Sequence, residues 1–220
     1  MIEGEAVLDF RTIKLVSWDV DGTLYSARSM RLHLLQLLIR RVAAGEGRRA
    51  LHDFRLLKRF HARIEAARSE EGTLGESNDT VDQEEMRSIQ HRWYEPAIRL
   101  AGPQPGLASV LSHFREKNVR QVAWSDYECD YKIDALGLTG WFAATYAGER
   151  LGVVKPNPGA LERIASDFST PIQSILHIGD RPETDARAAF LAGCPCMILG
   201  RDFKTFHTLM CILVNASGAE

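Results

Sequence analysis

Ile13-Lys14-Leu15-Val16-Ser17-Trp18-Asp19-Val20-Asp21-Gly22-Thr23 is the stretch that decides how this chain is read. An apolar run ends abruptly in two carboxylates, Asp19 and Asp21, followed by a glycine and a threonine. A run of that kind reads as a buried strand of a parallel sheet. Its carboxyl end places both acids at the sheet edge where open α/β proteins bind ligands. Two carboxylates held so close repel each other and cost desolvation energy, so a cation or a chemical task should compensate them. On this segment alone, a polar turn after a strand stays open as the simpler reading.

Outward from that stretch, 220 residues are long for one domain and short for two, so one core domain with an insertion fits best. With 45% hydrophobic and 25% charged residues and a net charge of -2, the composition is that of a soluble globular protein. The near-neutral balance gives no reason to expect a nucleic-acid partner. Met1-Ile2-Glu3-Gly4-Glu5-Ala6 has no basic region ahead of an apolar stretch, so no secretory signal is read there. The apolar run Leu32 to Ile39 is interrupted by His33 and Gln36 and is too short to span a bilayer, so no membrane partner is expected. Cys129, Cys194, Cys196 and Cys211 form no Cys-x-x-Cys pair. Cys194-Pro195-Cys196 could mark a redox or metal site, but small buried hydrophobes in a reduced compartment are the favoured reading, which implies a cytoplasmic location.

Residues 27 to 68 show helical spacing with a wide apolar face, broken at Gly45-Glu46-Gly47. A polar, glycine-bearing loop is expected over 69 to 80, and a third helix from about Val81 to Leu100. Ala101-Gly102-Pro103-Gln104-Pro105-Gly106 is a strong breaker. From Gly106 onward helices and strands alternate, with strands near Val119 to Trp124, within Trp141 to Tyr146, at Ile175 to Ile178 and at Pro195 to Leu199. The fold class that follows is α/β, a doubly wound and mostly parallel sheet with an inserted helical segment. The expected division is a core of residues 1–26 and 103–220 and a helical insert over 27–102. The insert is mildly basic and the remainder acidic, as suits a cation-binding core. The tail after Gly200 reads only as a packing segment.

Four polar clusters fall at or just after predicted strand ends: Asp19 with Asp21, Ser125, Lys155 in its loop, and Asp180 with Asp185. In a doubly wound sheet these points converge on one edge. Acids for a hard cation, a hydroxyl donor and an ammonium suit an anion whose charge must be spread during reaction. Phosphoryl transfer needs that set.

At these positions the chain resembles a known family. Asp19-Val20-Asp21-Gly22-Thr23, Ser125, Lys155 with Pro156, and Gly179-Asp180-Arg181-Pro182-Glu183-Thr184-Asp185 are similar, in order, to the four motifs of the haloacid dehalogenase-like hydrolase superfamily. The insert between the first two motifs looks like that family's C1-type cap. The resemblance covers about residues 13 to 200. It implies that Asp19 is a nucleophile forming an aspartyl-phosphate. Asp21 would be the general acid and base, with its backbone carbonyl on a metal ion. Ser125 and Lys155 would hold the phosphoryl oxygens. Asp19, Asp21 and Asp180 would bind Mg2+, with Asp185 behind them. Dehalogenating members lack an acid at the second position of the pair, so Asp21 favours phosphate chemistry.

Each of these residues has a plainer role. Ser125 could cap the following helix, Lys155 could be a solvated loop lysine, and Asp185 could be an acid at a helix start. Asp126 is not carried over from the family pattern, and its charge would lower local anion affinity. His177, inside a strand, reads as a core histidine with a hydrogen-bonded ring. Arg28 and Arg31 could reach the site and bind a substrate anion, or be exposed arginines of an amphipathic helix. The expected function is a magnesium-dependent phosphatase acting on a small phosphorylated metabolite or a phosphorylated protein side chain. The alternatives are a sugar-phosphate mutase and a non-catalytic phosphate-binding module. A phosphate-sensing receiver domain shares the acids, hydroxyl and lysine, but the long insert counts against it. Oligomeric state is not legible, since the apolar insert helices could pack internally or across a dimer.

Overall fold

Leu15, Val16, Ser17, Trp18 and Asp19 are buried along their whole length, which explains an apolar run without alternation: both faces of this strand are covered. The structure, a computed structural model, describes residues 8–69, 71–74 and 83–217. Five strands, β1 Leu15–Asp19, β2 Arg120–Ser125, β3 Ala144–Ala147, β4 Ile175–Gly179 and β5 Cys196–Ile198, form one sheet in the order β3-β2-β1-β4-β5. Each pair of neighbouring strands runs parallel. The register sets Asp19 beside Trp124 and Trp18 beside Ile178. From β1 the chain winds out through β2 to β3, then returns to β4 on the other side of β1. That reversal opens a crevice at the strands' carboxyl ends, where Asp19, Ser125 and Asp180 emerge.

Nine helices among the described residues connect these strands: α1 Ala27–Ala43, α2 Gly47–Ser69, α3 Gln83–Ala101, α4 Leu107–Glu116, α5 Asp130–Ala135, α6 Gly148–Leu151, α7 Gly159–Asp167, α8 Arg187–Ala192 and α9 Phe206–Ser217. Alternate strand residues point to opposite faces. Val16 and Trp18 pack with Phe114 of α4 and Phe206, Leu209 and Leu213 of α9. Leu15 and Trp124 pack with Leu161 and Ile164 of α7 and Ala188 and Ala189 of α8. Helices on both faces make the doubly wound architecture expected from the alternation.

Helices α1 to α3 stand between β1 and α4 and have an apolar cluster of their own, Ala50, Leu57, Met86, Ile89 and Trp93. Asp53 lies buried among them and accepts hydrogen bonds from Trp93 Nε1 and Arg92 Nη1, each at 2.8 Å. On α1, Leu34, Leu37 and Leu38 pack inward, whereas Leu32, Leu35, Ile39 and Val42 are more than half exposed.

The segment Gly148–Leu151 forms a helical turn, and the tail packs as expected, folding as α9 with three side chains in the core. Asp185 does not open a regular helix; it lies in a π-helical turn over Pro182–Ala186, ahead of α8. Residues 70 and 75–80 of the polar loop, and Val81 at the expected start of the third helix, lie outside the described residues. Cys129 and Cys194 are buried as expected, but Cys211 is exposed. No helix among the described residues is long and apolar enough to cross a membrane.

Candidate active site

Asp19 is the last residue of β1, and its side chain is held from two sides. Thr23 Oγ1 donates to Asp19 Oδ2 at 2.8 Å, and the Lys155 ammonium is ion-paired to Asp19 Oδ1. The turn that brings Thr23 back is made at Gly22, whose φ of +103° lies in the region that favours glycine. A Cβ at Gly22 would overlap the Asp180 carboxylate, so the missing side chain is what lets β4's carboxylate approach β1.

Lys155 is buried, and its Nζ also lies 2.8 Å from Asp185 Oδ1. Asp185 reaches back from the π-helical turn to accept from the backbone N–H groups of Asp180 at 3.3 Å and Arg181 at 2.9 Å. Such turns recur at functional sites because they redirect a side chain without ending the helix. Asp19, Asp180 and Asp185 each present an oxygen within 4.8 Å of the others. Asp180 Oδ1 is buried and has no hydrogen-bond partner among the described residues.

The electrostatics follow from this crowding. Burial, together with the charges of Asp185, Asp180 and Asp21, holds the Asp19 carboxyl well above the usual range, although Lys155 pulls it down. Burial and the Asp185 charge push Asp180 up to about 6. Burial also disfavours the Asp185 anion, but Lys155 and the His177 ring outweigh it and hold this carboxyl well below the usual range. Burial alone would lower the Lys155 ammonium, yet the anions of Asp185 and Asp19 drive it upward. Three carboxylates around Lys155 leave an excess of negative charge that a cation would relieve. An all-oxygen set with an orphaned buried carboxylate oxygen fits a small hard cation such as magnesium.

Asp21 has separate partners. Tyr25 OH donates to Asp21 Oδ1; Ser125 Oγ donates to Oδ2 at 2.8 Å, and Lys132 Nζ lies 2.5 Å from the same oxygen. Burial would raise this carboxyl, but Lys132, Tyr25 and Ser125 together hold it below its ordinary value. Ser125 Oγ also accepts the Tyr127 N–H at 3.2 Å, so the hydroxyl expected on a phosphoryl oxygen is committed to Asp21 and the next turn.

The structure thus brings Asp19, Asp21, Ser125, Lys155, Asp180 and Asp185 to one place. It adds Lys132, which the sequence did not single out. A lysine on a six-residue helix reads as a solvated surface residue, and only tertiary packing, with α5 set against α3, buries it. Asp126, set aside earlier, is neutralised: Oδ2 accepts from Arg68 Nη2 at 2.7 Å, and Oδ1 from the Lys155 N–H at 2.8 Å. His177 is the expected buried histidine, with Nδ1 3.1 Å from Ser17 O and Nε2 3.4 Å from Asp185 Oδ1. A cavity of about 690 Å³ opens over Asp19, Asp21 and Lys155, walled by Arg31, His61 and Tyr94 of the inserted helices. Arg31 thus reaches the site, whereas Arg28 is not among the lining residues.

Comparison with known proteins agrees with this geometry. The model of the haloacid dehalogenase-like hydrolase family matches residues 13–193. A glyceraldehyde 3-phosphate phosphatase of Methanopyrus kandleri is 26% identical over 208 residues, covering 82% of this chain and 81% of that protein. Among solved structures, a 2-haloacid dehalogenase from Pseudomonas syringae pv. Tomato aligns with a TM-score of 0.62 at 21% identity, over 92% of this chain and 99% of that one. A putative HAD-hydrolase of Bacillus subtilis bound to magnesium gives a TM-score of 0.64 at 17% identity, over 91% and 98% of the two chains. At such identities these two likenesses concern the fold alone.

Proposed function

The chain belongs to the haloacid dehalogenase-like hydrolases, and on that premise we propose that it is a magnesium-dependent phosphatase hydrolysing a small phosphomonoester or a phosphorylated side chain. The observation that carries this reading is the division of partners between two acids two residues apart. Asp19 rests on Lys155 and Thr23, and Asp21 on Lys132, Tyr25 and Ser125. A site with one task for both acids would have no need to hold them so differently.

Asp19 attacks phosphorus and carries the phosphoryl group as an aspartyl-phosphate. Its Oδ2 is fixed by Thr23, which orients the carboxylate for in-line approach. Lys155 balances charge on the transferred group, and Ser125 exchanges its bond to Asp21 for a phosphoryl oxygen. Asp21 gives a proton to the leaving oxygen, then takes one from the water that hydrolyses the intermediate. Asp19, Asp180 and the backbone carbonyl of Asp21 would hold magnesium, with Asp185 behind them; when bound, the ion supplies positive charge beside the phosphoryl oxygens and favours ionised Asp19. Helices α1 to α3 serve as a C1-type cap that excludes bulk water and selects the substrate.

The carboxylate at Asp21 favours this reading over carbon–halogen cleavage, because a halide leaves without a proton. The Methanopyrus kandleri relative, named for a three-carbon phosphate ester, supports a small phosphorylated metabolite as substrate. The test compares wild type with Asp19→Asn on p-nitrophenyl phosphate and a phosphometabolite panel that includes glyceraldehyde 3-phosphate. Wild type should release phosphate only with magnesium, and Asp19→Asn should lose at least about 10³-fold. Equal rates for the two proteins would end the proposal.

A further inference from the structure

The two oxygens of Asp126 look in opposite directions. Oδ2 takes the guanidinium of Arg68, near the C-terminal end of α2 in the insert, at 2.7 Å. Oδ1 takes the backbone N–H of Lys155, in the core, at 2.8 Å. Asp126 is 6% exposed, and the Arg68 side chain 13%. One buried carboxylate therefore joins an inserted helix to the main chain of the lysine that neutralises Asp19.

A second, independent set of contacts ties the same two segments together. Beyond α2, Val154 N donates to Gly72 O at 2.7 Å, and Leu74 N donates to Gly152 O at 2.9 Å. Thr73 and Val153 form an antiparallel bridge, and Asn157 Nδ2 donates to Glu71 O at 3.1 Å. Gly72 has a φ of +74°, and a Cβ there would overlap Val154 O and Asn157, so the close approach of the two backbones requires glycine. Ile64 and Ala67 of α2 pack on Val154 with Leu74 and Tyr127. The insert is fastened to the residues on both sides of Lys155, far in sequence from its two chain crossings.

We infer that Asp126 and Arg68 are positioning residues, coupling the seating of the cap to the placement of Lys155 on Asp19. The inference rests on the phosphatase reading for its catalytic consequence, but the coupling itself is a property of the fold. When the cap is seated, Arg68 fixes Asp126, and Asp126 fixes the Lys155 backbone from which the ammonium reaches Asp19 and Asp185. When the cap lifts, Arg68 and the 71–74 segment leave, and the Lys155 loop loses both restraints. The nucleophile's cationic partner is therefore in place only when water is excluded.

The test reads hydrogen exchange at the Lys155 amide in Arg68→Lys and in the paired variant Arg68→Met/Asp126→Asn. The pair removes both charges, so no buried ion is left alone, and the amide oxygen can still accept from Lys155. Thermal unfolding confirms that each variant is folded. Arg87→Gln serves as the control, because Arg87 contacts Glu128 across the same boundary at 3.2 Å without touching Asp126. Both Arg68 variants should speed exchange at Lys155 by about tenfold or more, and Arg87→Gln should not. In turnover of p-nitrophenyl phosphate, they should lower kcat by about 10²-fold, as misplacement of a charged group by about 1 Å does, with KM changed far less. Unchanged exchange at Lys155 in both variants would overturn the inference, and so would a loss confined to KM. If wild type shows no turnover at all, the phosphatase reading fails, and the exchange result alone still decides the coupling.

Discussion

Lys132 Nζ lies 2.5 Å from Asp21 Oδ2, and Lys155 is ion-paired to Asp19, so the two acids of one turn are matched one to one with two buried lysines. The lysines come from different segments, α5 and the loop after α6. This pairing keeps the two neighbouring carboxylates in distinct electrostatic states, Asp19 raised and Asp21 lowered.

Replacing Lys132 should therefore alter proton transfer more than binding. Lys132 favours the ionised form of Asp21, so Lys132→Met should raise that carboxyl's pKa. Asp21 gives its proton in the step that kcat/KM reads, so the alkaline limb of that profile should move upward, and the acid limb of kcat, where Asp21 is the base, should move upward with it. At the optimum, kcat should fall about 10²-fold, the scale of a general acid–base contribution. Lys132→Arg should restore part of it. A pH profile superimposable on wild type would remove Lys132 from the mechanism.

Gly22→Ala tests whether the approach of Asp180 to β1 builds a cation site. The new methyl would meet the Asp180 carboxylate and would also strain a backbone held at φ +103°. The magnesium concentration giving half-maximal activity should rise by about 10-fold to 100-fold, the usual cost of disturbing the support of a metal ligand. Calorimetry of magnesium binding in the absence of substrate, with and without the Gly22 change, would separate metal binding from turnover. Equal magnesium affinities would contradict the prediction.

Chelation should make stability fall with rising pH. Asp180 is raised to about 6 and Asp19 is raised well above its ordinary value, so both lie above the ~3.9 of an unfolded aspartate. The folded state then holds protons that the unfolded chain has released, so the contribution is full below about pH 4 and is lost as pH climbs through about 6. Asp21 and Asp185, whose values are lowered, act oppositely, but their contribution is complete once the unfolded carboxylates have ionised. In EDTA, Tm should therefore decline between about pH 5 and pH 8, and magnesium should flatten the curve. Parallel curves with and without magnesium would contradict this.

Much of the fold was legible because its signals are local. The unbroken apolar run into Asp19 and the alternation after Gly106 implied a buried strand in a parallel, doubly wound sheet, and the sheet has that form. Where a segment was short, local signals failed. Gly148–Leu151 has too few residues for a helical period to register, and the Asp185 turn depends on the side chain's bonds to Lys155 and His177. The apolar tail carried a packing signal, but its partners, Trp18 and Phe114, lie about ninety or more residues away.

What the sequence determined by itself was the set of groups at the strand ends: Asp19 and Asp21, Ser125, Lys155, Asp180 and Asp185. Strand ends converge in any doubly wound sheet, so spacing along the chain is enough to place them. Tertiary structure alone decided which partner each group has. It gave Lys132 and the Ser125 hydroxyl to Asp21 and set Asp126 between Arg68 and Lys155. A buried ion pair depends on distance and dielectric, and neither is written in the order of residues that lie about 30 to 140 positions apart until the chain has folded.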